Sequence, residues 1–221
     1  MSEYQWIGFG AIEEPLSDDA LEFMETQSSR ADIDRWSFHN EYTYGDFRGD
    51  TLEMLRRGYD FHVHFANFGV RYIAMRFRDG FAYSDQLQEM LPAYAASWYP
   101  DQVGTGGILE ISPDADAGSR EEEWWETDSL LSDLMPIREM IQNGDLRPLF
   151  LLNLVFNDQD ETELAIPPGL NQLSQALECL AEFYEIDSFL IAASAKSSAS
   201  MPSSQDDEQV IAAWLAQASQ K

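Results

Sequence analysis

The sequence is poor in several of the side chains that announce a chemistry. It has one cysteine, three histidines and two lysines in 221 residues. A lone Cys179 excludes an internal disulfide and any thiolate metal set, and within a helical pattern it reads as a structural thiol. No run of 18 apolar residues occurs, so no membrane-spanning helix is expected. The N-terminal MSEYQWIGFG has no basic stretch followed by an apolar one, which argues against a signal peptide and for a cytoplasmic location. G-x-S-x-G, H-E-x-x-H and P-loop signatures are all missing. The glycines of VGTGGILEIS precede an expected strand instead of following one, so they do not make a dinucleotide-binding fingerprint. No repeat of solenoid period is present.

What is abundant is acid. Forty Asp and Glu face 13 Lys and Arg, a formal net charge of −27 with a pI near 4.1. Such a chain repels phosphate backbones and anionic membrane surfaces and attracts basic partners. Solubility alone is the plainer account of the same charge. Apart from Lys196 and Lys221, the basic residues are 11 arginines, none beyond Arg147. Six of them, Arg48, Arg56, Arg57, Arg71, Arg76 and Arg78, share residues 48–78 with only Asp50, Glu53 and Asp60. This arginine island is a candidate site for a small anion or nucleotide, although such islands are commonly neutralised by the chain's own carboxylates.

Hydrophobic residues make up 44% and aromatics 13%, enough for a sizeable core built largely of rings. Alternating patterns predict strands over Tyr4–Ile12, Trp36–Tyr44, YDFHVHFANF, VRYIAMRFR and GGILEIS, the third and fourth forming a hairpin. Ser17 and Asp50 are placed to cap short helices. Residues 79–107 are ambiguous, with a helix near Ser84–Met90. From Ser129 the spacing turns helical: SLLSDLMPIREMIQNG with a kink at Pro136, the all-round apolar DLRPLFLLNLVF, a helix with Leu170, Leu173, Leu177, Leu180 and Tyr184 on one face, and a short one over Ser188–Ala195. The fold class is α+β: an N-terminal, mainly antiparallel sheet with short helices, then a helical C-terminal half. Residues 1–113 form the strand-rich part, 114–128 an acidic loop and 129–195 a helical part packed on the first. Residues 196–205 form a Ser-rich linker and 206–221 an amphipathic helix.

Candidate chemistry is sparse. Asp60, His62 and His64 project from one face of an expected strand, the i, i+2 spacing of some zinc or iron sites; a polar strand face gives the same pattern. In EEEWWE, Glu121, Glu122 and Glu123 adjoin Trp124 and Trp125, aromatic anchors with an acidic rim that suit a basic protein partner. Trp214, with Val210, Ile211, Leu215 and Ala218 on its side of the C-terminal helix, is a second anchor, suited to a groove on the protein itself or on a partner. YTYGDFRGD, Tyr42 to Asp50, reads as a shaped corner: Gly45 and Asp46 turn the chain, and Asp50 caps the next helix with Glu53 at the capping-box offset. Arg48 is then expected to pair with Glu41 or Asp46. Its RGD carries no weight as an integrin-binding tripeptide.

The stretches AIEEPLS at 11–17, EYTYGDFRGD at 41–50, FHVHFANFGVRYIAMRF at 61–77 and AIPPGL at 165–170 together resemble an uncharacterised family of bacterial proteins. The resemblance spans residues 1 to about 195. It implies a bacterial, cytoplasmic origin and brings no activity, cofactor or site residue with it.

The leading expectation is a non-enzymatic, acidic interaction protein that binds a protein partner with basic surface, nucleic-acid charge mimicry being a special case. No cofactor, direct nucleic-acid contact or membrane contact is expected. The alternatives are a metal-dependent hydrolase built on Asp60, His62 and His64, and a small-anion or nucleotide sensor built on the arginine island.

Overall fold

The structure, a computed structural model, describes residues 4–112, 127–156 and 164–201. The chain is an α+β protein around one antiparallel sheet. Its strands are β1 (Gln5–Gly10), β2 (Asp32–Ile33), β3 (Ser37–Tyr42), β4 (Phe61–Ala66), β5 (Arg71–Phe77), β6 (Ala96–Pro100) and β7 (Gly107–Ile111). They lie in the order β2-β3-β1-β4-β5-β7-β6, every pair antiparallel. The β4–β5 hairpin is present as expected from its alternation, with Phe61 opposite Met75 and Phe65 opposite Arg71. The edge strand β6 lies in the stretch whose pattern was ambiguous, because ASWYP is short and ends in proline.

Both faces of the sheet are covered. On one face α1 (Asp18–Gln27) and α2 (Thr51–Arg57) pack Ala20, Met24, Met54 and Leu55 onto Ile7, Phe9 and Phe38. The opposite face buries Trp6, Phe61, Val63, Phe65, Ile73, Met75, Leu109 and Ile111 under the later helices. These are α3 (Leu87–Met90), α4 (Thr127–Leu134), α5 (Pro136–Gln142), α6 (Arg147–Phe156), α7 (Gln175–Phe183) and α8 (Ser188–Ser197). They share one core with the strands, so the helical half closes over the sheet. Trp6 lies flat across Gly8: a Cβ there would stand 2.3 Å from the indole, so only glycine leaves room for that ring.

The helix boundaries follow local chemistry. Ser17 accepts from the Ala20 amide at 3.2 Å and Asp50 from the Glu53 amide at 3.0 Å, as the capping patterns require. The capping box is only half made. Glu53 turns to Arg57 at 2.7 Å, and Gln27 accepts the Asp50 amide in its place. Pro136 starts a new helix, α5, and so divides the pattern from Ser129 to Gly144 in two. The all-round apolar α6 is a buried helix, and its Asn153 donates to the Met90 carbonyl at 2.6 Å. Helix α7 begins later than its leucine spacing suggests. Ser174 caps it, which leaves Leu170 and Leu173 in the preceding loop.

Candidate functional site

Asp60, His62 and His64 alternate along one face of the β4 strand and its N-terminal flank, yet each is committed to the protein. Asp60 is fully buried. Its Oδ2 accepts the amides of Ile12 and Glu13 at 2.7 and 3.1 Å, and its Oδ1 takes Arg78 Nη2 at 3.2 Å. His62 Nδ1 donates to the Gly8 carbonyl at 2.9 Å, and its ring stacks on Phe9 with centroids 4.0 Å apart. Burial pushes its pKa down to about 3, and His64 nearby adds to the effect. His64 Nε2 meets Gln5 Oε1 at 3.0 Å, and burial lowers its pKa to about 4. The half-solvated polar face that the alternation suggested is absent around His62, which is buried between the rings of Phe9 and Tyr72. Among the described residues no three His, Cys, Asp or Glu side chains could hold a metal ion. The ligand set of the hydrolase reading is thus spent on amides, a carbonyl, an arginine and a glutamine.

The arginine island does not converge on a pocket either. Arg57 pairs with Glu53 at 2.7 Å and lies over Phe23. Arg71 reaches Glu185 at 3.7 Å and stacks on Phe65. Arg76 holds Asp101 at 2.6 Å and donates to the Gly107 carbonyl. Arg78 gathers Asp60, Glu13 and Glu14, and those carboxylates raise its pKa against the opposing effect of burial. Glu13 also accepts from Arg138, which is buried, donates to the Arg76 carbonyl and sits over Phe77 at 5.4 Å. The AIEEP loop is therefore clasped between two arginines. Four of the six island arginines are neutralised internally, and Arg56 stands exposed on α2.

YTYGDFRGD adds its Phe47 to the core on the α1–α2 side of the sheet. Gly45 turns at φ +80°. Asp46 Oδ1 accepts from Gln5 Nε2 at 2.9 Å, which orients the Gln5 amide so that its oxygen faces His64. Phe47 packs on Phe9, Phe38 and Tyr42. Arg48 departs from expectation: it is exposed and, among the described residues, pairs with neither Glu41 nor Asp46. The corner is already fixed by Asp46, Phe47 and Asp50, so it needs no further cation.

An open concavity among the described residues lies elsewhere, between α7 and α8. A groove of about 600 Å³ is lined by Leu170, Leu173, Ala181, Ile186, Ile191 and Ala195, with Glu178, Glu182 and Glu185 at its rim. Glu178 and Glu182 stand four residues apart on α7, exposed, and their side chains make no hydrogen bond or ion pair with any described residue. Glu185 takes a left-handed conformation, φ 54°, where the chain leaves α7. Ile186 closes the turn by donating its amide to the Ala181 carbonyl at 2.8 Å. Helix α8 has no buried residue; Phe189 is 83% and Leu190 36% exposed. It is held at its ends. Asp187 caps it through the Phe189 amide, and after it Ser198 Oγ donates to the Pro167 carbonyl while the Gly169 amide donates to the Ala199 carbonyl.

The groove escaped the sequence because Leu170 and Leu173 fitted a continuous helical face. The usable signal was in SFLIAASA: its apolar residues are spread round the whole helix, more than one buried face absorbs. The anchors Trp124, Trp125 and Trp214 and the acids Glu121, Glu122 and Glu123 all lie outside the described residues. Among the described residues no helix is long and apolar enough to cross a membrane. No protein-family model matches the chain, and neither a curated protein nor a solved structure matches it at a significant level.

Proposed function

We propose that the protein is a non-enzymatic interaction module whose α7–α8 groove receives a basic amphipathic helix of a protein partner. One observation carries this reading: an open apolar groove rimmed by two glutamates, Glu178 and Glu182, whose side chains have no partner among the described residues. An i, i+4 pair of like charges costs a helix a few tenths of a kcal/mol, and Glu178 and Glu182 form such a pair. A cation seated between them relieves that cost. Leucine-type anchors at i, i+3, i+4 and i+7 on a partner helix would fill the groove, and Arg or Lys on its flanks would meet the rim. The net charge of −27 steers such a partner toward the whole molecule. The same reading places the protein in the cytoplasm of a bacterium, where the family resemblance also points.

The test is a titration of isotope-labelled protein with a synthetic helix carrying leucines on one face and arginines on its flanks, followed by NMR. The reading expects saturable shifts confined to residues 170–195 that weaken as salt is raised. Shifts spread over the whole surface, or no saturation, would overturn it.

A further inference from the structure

The sheet face that carries His62 and His64 continues across β5, β7 and β6. His64 stands opposite Tyr72 and His62 opposite Ala74 in β5. Ala74 stands opposite Glu110 in β7, and Ile108 of β7 opposite Tyr99 in β6. Side chains alternate along each strand, so Tyr72, Glu110 and Tyr99 share this one face. All three are half-buried. Both phenols converge on the carboxylate: Tyr72 donates to Glu110 Oε2 at 2.8 Å and Tyr99 to Oε1 at 3.4 Å. The two rings pack against the core that holds Ala74 and Ile108, which are fully buried. The result is a low platform, a carboxylate set between two partly exposed aromatic rings.

Its charge is unbalanced. Glu110 makes no ion pair with any described residue, and its partners are the two neutral phenols. Arg76, opposite Ile108 on the same face, is held by Asp101 at 2.6 Å and by the carbonyls of Phe77 and Gly107. The two histidines beside Tyr72 bring no positive charge, because burial keeps both neutral. Burial and the Glu110 carboxylate push the Tyr72 pKa up, so its phenol stays a proton donor.

The complement to such a platform is a cation that needs no hydrogen bonds. A primary ammonium or a guanidinium would compete with the phenols for the Glu110 oxygens. A trimethylammonium group has no N–H and leaves both phenol bonds in place. It is drawn to the carboxylate by charge and to the tyrosine rings by their negative faces. A phenol that donates to a carboxylate also has a more electron-rich ring, which strengthens that attraction. We propose that Tyr72, Glu110 and Tyr99 form a binding site for a small organic cation of the trimethylammonium class. The site lies on the sheet face opposite the one that packs α7, and it stands independently of the groove reading. The net charge of −27 draws in cations of every kind, while the rings select the methylated one.

The experiment titrates the isotope-labelled native chain with choline chloride and follows it by NMR. Three controls run beside it: sodium chloride, ammonium chloride, and the neutral analogue of choline with carbon in place of nitrogen. The proposal expects saturable shifts at Tyr72, Ser97, Tyr99 and Glu110 with choline alone. Tyr99→Leu should weaken choline binding about three- to fivefold, the worth of one exposed ring. Glu110→Gln, which keeps the size and removes the charge, should weaken it further. Absence of saturation with choline overturns the proposal, as do saturable shifts confined to residues 170–195. Equal shifts with ammonium or sodium would mean ordinary counter-ion binding, and equal shifts with the neutral analogue an apolar patch; either result overturns it. Unchanged affinity in a folded Tyr99→Leu chain does the same. The native-chain comparisons decide the matter even if a variant fails to fold.

Discussion

Met201 packs directly onto Gly169, with its Cγ 2.5 Å from where the first side-chain atom of any other residue would stand. Gly169 also turns at φ +84°, a conformation that costs an L-residue about 1–2 kcal/mol. Gly169→Ala should therefore lower stability by at least about 1 kcal/mol through the backbone alone and by more through displacement of Met201. Met201→Ala in the same chain should return the second part. A double-mutant cycle by chemical denaturation reads the coupling, expected in the range of about 0.5–3 kcal/mol for residues in contact. A coupling of zero would show that Met201 is not held there.

Removing Arg78 should be the most damaging single change in the clasp. Asp60 is fully buried, and Arg78 is the only cation it contacts among the described residues. Arg78→Met leaves a buried carboxylate without a counter-ion, a loss of about 3–5 kcal/mol. One-third exposure of Arg78 puts the expectation at about 3. Asp60→Asn in the same chain should recover part of it, because the amide oxygen still accepts from Ile12 and Glu13. Urea unfolding of the two variants beside the native chain measures this, and a loss below about 1 kcal/mol for Arg78→Met would contradict the clasp.

The two strand histidines set an acid limit. Both are held neutral, at about 3 for His62 and about 4 for His64 against an ordinary value of 6.5. The unfolded chain takes up these protons first as pH falls. Their contribution is whole above about pH 6.5 and is lost as pH drops toward the folded values, at up to about 1.4 kcal/mol per pH unit for each histidine. His62→Gln should flatten the slope of stability between pH 6.5 and 4 by up to one proton's worth, measured by urea unfolding across that window. An unchanged slope would mean that His62 is solvated.

Much of this fold was legible, for identifiable reasons. The caps at Ser17 and Asp50, the β4–β5 alternation and the break at Pro136 are local signals, set within a few residues, and they reappear in place. What escaped was tertiary. Nothing in DFHVHF states that the rings of Phe9 and Tyr72 close around His62, since a strand with two covered faces can carry the same alternation as one with a wet face. Nothing in the arginine spacing states that Glu13 and Glu14, some 60 residues away, return to Arg78. The groove was hidden because Leu170 and Leu173 kept the helical period beyond the true start of α7.

Within the corner motif, Asp50 and Arg48 should separate cleanly. Asp50→Ala removes the α2 cap and should cost about 1 kcal/mol. Arg48→Ala touches an exposed side chain with no described partner and should stay within about 0.5 kcal/mol. Thermal melts of both variants decide it. A large effect from Arg48→Ala with the fold intact would assign that arginine a role that its surroundings do not show.

The central claim, a groove that selects a basic helix, is tested most directly by reversing its rim. Two labelled peptides with the same leucine face, one flanked by arginine and one by glutamate, are titrated by fluorescence anisotropy against the native chain and against Glu178→Lys/Glu182→Lys. The account predicts that the native groove prefers the arginine peptide and that the reversed rim prefers the glutamate peptide. An unchanged preference in the reversed variant, shown by circular dichroism to be folded, would contradict it.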